Sequence, residues 1–229
     1  MRSPRPEVPP HTAATTDDAV LGGRLKLLQP AEGHRAGHDA ILLAAAAPMS
    51  KHAIDLGAGI GTAGLALLAR EAVERVTLIE IDAELAEIAR ENARRNGYSE
   101  RIEVIVADIR KPARGKSPAS LADLVIMNPP FNDPGRRNVS PDAGRRRAHA
   151  AADSELDPWC AAADRALAVG GRLVLIHRPD AIETILASLA GRFGAAEIIP
   201  IFPRPGAAAI RVIVRAVKGR RTPPSLRPG

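Results

Sequence analysis

The apolar run Leu124, Val125, Ile126 and Met127 stops abruptly at Asn128, Pro129, Pro130 and Phe131. A core strand that ends in an amide, two rigid rings and an aromatic is either closing in an ordinary turn or presenting fixed polar groups at the rim of a site. The choice depends on what else the chain brings to the same end of the sheet. Three glycines, Gly57, Gly59 and Gly61, follow the strand-like "HAIDL" and let the backbone turn tightly and approach a ligand closely, while the next helix aims its first N–H groups into the same space. Thr62 stands where the dinucleotide spacing requires a further glycine, which counts against NAD. Asp55, just before the glycines, suits a cationic or hydroxyl-bearing ligand and would repel a pyrophosphate. Glu80 lies 19 residues after Gly61, a position from which a carboxylate grips both hydroxyls of a ribose, and Asp108 ends the following strand, where it can accept from an adenine amino group. Three buried carboxylates lose their hydration, and a ligand with matching donors offsets that cost.

The elements that must position these residues are legible as alternation. "HAIDLG" leads to a helix from Thr62 to Glu71, "RVTLIEI" to a helix from Ala83 to Arg95, and "IEVIVAD", "LADLVIMN" and "GRLVLIHR" follow with helical segments between them. Such alternation predicts a parallel sheet covered by helices on both faces. "AEIIPIFP" and "AAIRVIVRAV", joined through Arg204, Pro205 and Gly206, leave no room for a helix and predict a C-terminal antiparallel hairpin. The expected fold is α/β, a Rossmann-like, mostly parallel sheet of seven strands. "VLGGRLKLLQP" predicts a short hairpin around Gly22 and Gly23, followed by a helix from Asp39 to Ala47, so residues 19–50 form an extension ahead of the main domain at 51–217. Residues 1–18, rich in Pro, Thr and charge, are expected to be disordered, and "KGRRTPPSLRPG" at 218–229 to be a mobile basic tail.

A chain of 229 residues suffices for one such domain. Aromatic residues make up only 2%, so the core must be built from Ala, Leu, Ile and Val, and an aromatic outside it is informative. A formal charge of +6 draws the molecule toward polyanions, with RNA, DNA and acidic membranes all admissible. One cysteine, Cys160, excludes an intrachain disulfide and a cysteine-rich zinc site, and the apolar run "ILLAAAAPM" is too short to span a bilayer. These features predict a cytoplasmic protein without metal or membrane contact, with a monomer favoured over an oligomer.

"DLGAGIG" together with Glu80 and Asp108 resembles the class I S-adenosylmethionine-dependent methyltransferases, over nearly all of 51–217. The resemblance implies that Gly57, Gly59 and Gly61 border the methionine and ribose portions of the cofactor, with Asp55 beside them. It gives Glu80 the ribose hydroxyls and Asp108 the adenine amino group. "NPPF" is similar to the motif of amino methyltransferases, which act on exocyclic nitrogens such as N6 of adenine or the amide of glutamine. The chemistry implied is that the Asn128 side-chain oxygen and the Pro129 carbonyl accept from the two hydrogens of the amino group and free its delocalised lone pair. Pro130 helps stiffen the loop, Phe131 stacks on the flat acceptor, and Asn128 also lies against the cofactor.

"LLQPAEGHRAGHDAILLAAA", "DLGAGIG" and "MNPPF" together, extended by "TTDDAVLGGRLKLLQP" and "AIRVIVRAVKG", resemble bacterial tRNA adenine N6-methyltransferases that act on adenine 37 of a valine tRNA. That implies tRNA as partner and a cover over the cofactor from Gly33 to Asp39. The long connection after Phe131 carries Arg136, Arg137, Arg145, Arg146, Arg147 and His149, a candidate electrostatic funnel for RNA phosphates. A helix is expected to start at Asp157-Pro158, with Trp159 on its core face beside Ala162, Ala163 and Ala166. Methylation of a protein glutamine, methylation of a small molecule, and a non-catalytic S-adenosylmethionine or RNA-binding module remain alternatives.

Overall fold

The computed structural model describes residues 14–31, 37–111, 121–131 and 156–229. In chain order the elements are β1 (Thr15–Val20), β2 (Leu25–Pro30), α1 (His38–Ala46), β3 (Ser50–Leu56), α2 (Thr62–Ala69), β4 (Val73–Glu80), α3 (Ala83–Arg95), β5 (Ile102–Val106) and β6 (Ala122–Met127). Then come α4, helical over 156–166, β7 (Leu167–His177), α5 (Ile182–Leu189), β8 (Phe193–Ile201), β9 (Arg211–Lys218) and β10 (Ser225–Leu226). Among these residues, eight strands form one sheet in the order β10-β8-β9-β7-β6-β3-β4-β5. The five strands from β3 to β7 run parallel, and β9 lies antiparallel between β7 and β8.

Two-sided burial explains the unbroken apolar runs. On β6, Leu124 and Ile126 join a core with α1, α2 and β2, whereas Val125 and Met127 face the opposite core with α4 and α5. A strand covered on both faces has no polar side, so its sequence cannot alternate. Every residue of α2 is buried, because α1 and the β1-β2 hairpin cover the side that the sheet does not. Asn92 on α3 fastens that hairpin: its Nδ2 donates to the Leu28 carbonyl at 3.0 Å and to the Ile60 carbonyl at 3.1 Å, and its Oδ1 accepts from Leu28 N–H at 2.7 Å.

Four expectations are corrected. Thr15–Asp18, assigned to a disordered tail, pair with Leu27–Pro30 as β1, since the Thr side chains and the alternating exposure suit an edge hairpin. The basic tail does not project freely: β10 adds an eighth strand parallel to β8, Ala195 N–H donates to the Thr222 carbonyl at 2.8 Å, and Arg227 pairs with Glu197. A row of edge donors and acceptors is thereby satisfied. Leu156 is already helical, so α4 does not start at Asp157. The glycine-loop helix ends at Ala69, two residues before Glu71, which has φ +56°. Among the described residues, no helix is long and apolar enough to cross a membrane.

Candidate active site

Strand order alone brings the candidate residues together. Asp55 is the penultimate residue of β3, Glu80 ends β4 and Asp108 follows β5, so the three acids stand at the carboxyl ends of three adjacent parallel strands. β6 adjoins β3 on the other side, with Met127 opposite Leu56, which places Asn128 next to the start of the glycine loop.

The loop is shaped by backbone constraints. Gly57 and Ala58 N–H both donate to the Ile79 carbonyl, at 2.8 and 3.0 Å, tying it to β4. Gly57 adopts φ +67°, and a Cβ there would meet the Trp159 ring at 2.4 Å, so this glycine admits the indole of α4. Gly59 has φ +55° with nothing within 4 Å of a built Cβ, and Gly61 caps α2 in the left-handed region. Trp159 is half-buried against the α4-side core, as its helix face predicts, but it also rests on Gly57.

The three acids differ in how they tolerate their positions. Glu80 is buried, yet Gly59, Ile81 and Asp82 N–H donate to its carboxylate at 2.7, 2.8 and 2.9 Å. Asp108 accepts from Arg110 N–H, and the Arg110 guanidinium beside it holds its carboxyl below the usual range. The cost expected of three buried, unpaired acids is thus met for these two within the chain itself. Asp55 is the exception. It is 3% exposed, it accepts one bond from Gly64 N–H at 3.0 Å, and burial pushes its carboxyl up to about 7. The nearby Glu80 charge pushes the same way.

Asn128 carries the complementary signal. Its Oδ1 is buried without a hydrogen-bond partner. A buried unpaired acceptor is costly, and a ligand that brings a donor removes that cost. Pro129 is buried, Pro130 exposed and Phe131 half-buried. Phe131 meets His177, the last residue of β7, with ring centroids 4.7 Å apart, and Arg211, whose guanidinium carbon lies 5.1 Å from the Phe131 centroid.

Sequence reading missed His177, Arg211 and Ile81. His177 had the same signal as Asn128, a polar residue at the end of a buried parallel strand. Burial pushes its imidazole down to about 4, so it is neutral at physiological pH. Ile81, directly after Glu80, is 57% exposed, an apolar side chain beside the acid. Arg211 gave no local signal, since its ion-pair partner Asp39 is 172 residues away. Arg136, Arg137, Arg145, Arg146, Arg147 and His149, and most of the 33–39 cover, lie outside the described residues. Among the described residues, no group of three or more His, Cys, Asp or Glu is placed to hold a metal ion.

A parallel sheet of this order with a glycine turn after its first parallel strand, an acid closing the second and an Asn-Pro-Pro-Phe turn after the fourth defines a methyltransferase. The chain belongs to the methyltransferase small domain family, whose model matches residues 36–199. It is 31% identical over 189 residues to the tRNA1(Val) (adenine(37)-N6)-methyltransferase of Aeromonas hydrophila, covering 81% of this chain and 77% of the relative. The enzyme of the same name from Klebsiella pneumoniae (strain 342) is 42% identical over 102 residues, so that match spans 42% of this chain and 40% of the relative's own length. Among solved structures, a protein of Agrobacterium tumefaciens described as a predicted O-methyltransferase superposes with a TM-score of 0.67 at 37% identity, covering 83% of this chain and 85% of that one. TrmN from Thermus thermophilus, at 21% identity and a TM-score of 0.52 over 78% of this chain and 47% of that chain, shares the fold.

Family and fold imply S-adenosylmethionine as the methyl donor. The residues present fit that group: the buried Asp55 carboxyl, with one backbone donor, suits its ammonium, open space over Gly59 leaves room for it, and the Asn128 oxygen, buried without a partner, follows the strand beside the glycine loop.

Proposed function

We propose that the protein methylates N6 of an adenine in RNA, in a tRNA near the anticodon. The observation that carries this reading is the buried, unpartnered Oδ1 of Asn128, directly before Pro129 and Phe131. An exocyclic amino nitrogen donates its lone pair into the ring and is a poor nucleophile. The Asn128 oxygen accepts from one of its hydrogens and the Pro129 carbonyl from the other, which favours a pyramidal nitrogen and later stabilises its positive charge. Two prolines hold both acceptors in place before the substrate arrives, and Phe131 stacks on the base. Bound at the glycine loop, S-adenosylmethionine supplies an electrophilic methyl group on its sulfonium. We assign Gly57, Gly59, Gly61 and Asp55 to its amino-acid end and ribose, Glu80 to the ribose hydroxyls, and Asp108 to the adenine, with Arg110 sharing or releasing that carboxylate.

The relatives named as tRNA adenine N6-methyltransferases and the net charge of +6 support RNA as substrate, with the arginines at 136, 137 and 145–147 as its phosphate contacts. An adenine in a loop is cheaply unstacked and swung into a pocket. The test is methyl transfer from labelled S-adenosylmethionine to tRNA lacking the modification, followed by digestion and chromatography of nucleosides. N6-methyladenosine is the expected product. Ribose-methylated nucleosides, or label in protein, would refute the amino-group assignment or the RNA assignment respectively. Asn128→Ala should abolish turnover and leave cofactor affinity within about twofold; a parallel collapse of cofactor binding would contradict the division of roles.

A further inference from the structure

Side chains from two strands meet the ring of Phe131, and a third element holds one of them. Arg211, which opens β9, places its guanidinium carbon 5.1 Å from the ring centroid. His177, which closes β7, packs against the ring at a centroid distance of 4.7 Å with the planes 75° apart. Asp39, in the first turn of α1, accepts from Arg211 Nε at 2.9 Å, and a terminal nitrogen of Arg211 donates to the Ile210 carbonyl at 2.8 Å. The side chains of the ion pair are only 29% and 20% exposed, so the guanidinium is held from two sides and does not sample the surface as a solvated cation does. A planar cation fixed in this way over an aromatic ring restrains that ring in turn.

We propose that Asp39, Arg211 and His177 are positioning residues that hold the Phe131 ring in the orientation that receives the flat acceptor base. The proposal rests on the reading of Phe131 as the stacking platform. A phenylalanine on a loop directly after two prolines has a fixed backbone but free side-chain torsions. If those torsions were ordered only when the base arrived, the cost would be subtracted from binding. The cluster orders the ring beforehand, using parts of the chain up to 172 residues apart. Arg211 thus serves the acceptor through Phe131 and not as a phosphate ligand, which separates it from the other arginines of this basic chain.

The chain has three phenylalanines, Phe131, Phe193 and Phe202, so full-length protein labelled with fluorophenylalanine gives a readable fluorine spectrum. Arg211→Ala and Asp39→Asn should shift and narrow the Phe131 resonance and leave that of Phe193, in the core, unchanged. With unmodified tRNA as acceptor, KM should rise about fivefold while S-adenosylmethionine affinity stays within about twofold. Arg211→Lys, which keeps the charge but not the plane, should recover part of the loss. Asp39→Asn carries the test if Arg211→Ala fails to fold. An unchanged Phe131 resonance in both variants overturns the proposal. So does a fall of about one in the salt-dependence slope of RNA binding for Arg211→Ala, because that is the signature of a lost phosphate contact. If the resonance loosens while KM and kcat hold, the ring contact survives and the platform reading of Phe131 is refuted.

Discussion

Replacing Asp55 with Asn separates the site's cost to the fold from its use in binding. Asp55 titrates at about 7 in the folded protein against an ordinary 3.8, because burial disfavours its charge. Below pH 3.8 both folded and unfolded chains hold the proton, and the group contributes nothing. As pH rises, the unfolded chain releases its proton first, so the folded state is progressively disfavoured until the buried carboxyl also ionises. By about pH 8 the difference of roughly three units corresponds to a destabilisation of about 4 kcal/mol. An Asn at this position keeps an oxygen for Gly64 N–H, 3.0 Å away in the parent, and adds an amide N–H₂ that costs about 1 to 2 kcal/mol if unpaired. The variant should therefore be about 2 to 3 kcal/mol more stable than the parent near pH 8 and about 0.5 to 1.5 kcal/mol less stable near pH 4. His177, pushed down to about 4 by burial, makes both proteins lose stability between its ordinary 6.5 and that value, and this shared contribution cancels in the comparison. Urea denaturation of the apo protein across that pH range measures the difference directly. With S-adenosylhomocysteine present the order should invert near pH 8, because the parent's carboxylate gains an ammonium partner that the variant lacks. Parent affinity should also fall as pH drops below about 7. A stability difference that does not change with pH would refute the assignment of a strained, ligand-directed carboxyl to Asp55.

Gly57→Ala should destabilise the protein by roughly 2 to 3 kcal/mol, since a Cβ would combine a left-handed φ of +67° with a contact of 2.4 Å to the Trp159 ring. Adding Trp159→Ala should return part of that loss in a double-mutant cycle, whereas strict additivity would mean the two do not meet. Glu80→Ala should weaken S-adenosylmethionine binding and also lower stability by roughly 2 to 4 kcal/mol, because Gly59, Ile81 and Asp82 lose their acceptor. Calorimetry for binding and thermal melts for stability check the two effects, and an unchanged melt would contradict the loop-anchoring role.

The relation between sequence and structure is clearest at particular residues. Period and apolar content fixed the parallel strands, because burial on both faces admits only runs such as Leu124–Met127, and α3 falls at Ala83–Arg95 as its pattern predicts. Gly57, Gly59, Gly61, Glu80, Asp108 and Asn128 were visible as candidates because each stands where a strand stops, and stopping points in a parallel sheet share one edge. Their differences were not visible. Three backbone N–H groups satisfy Glu80, a neighbouring arginine satisfies Asp108, and Asp55 is left with one bond, and all of this depends on loop geometry that residue order does not encode. The same holds for β10, whose residues read as a tail until the unpaired edge of β8 was present to receive them. Likewise the contact of Trp159 with Gly57 and the meeting of Asp39, Arg211, His177 and Phe131 exist only after the chain has closed on itself. Local pattern determines which segments are strands, helices and turns, since it records burial and period. Which side chains touch across those segments is decided by packing in three dimensions.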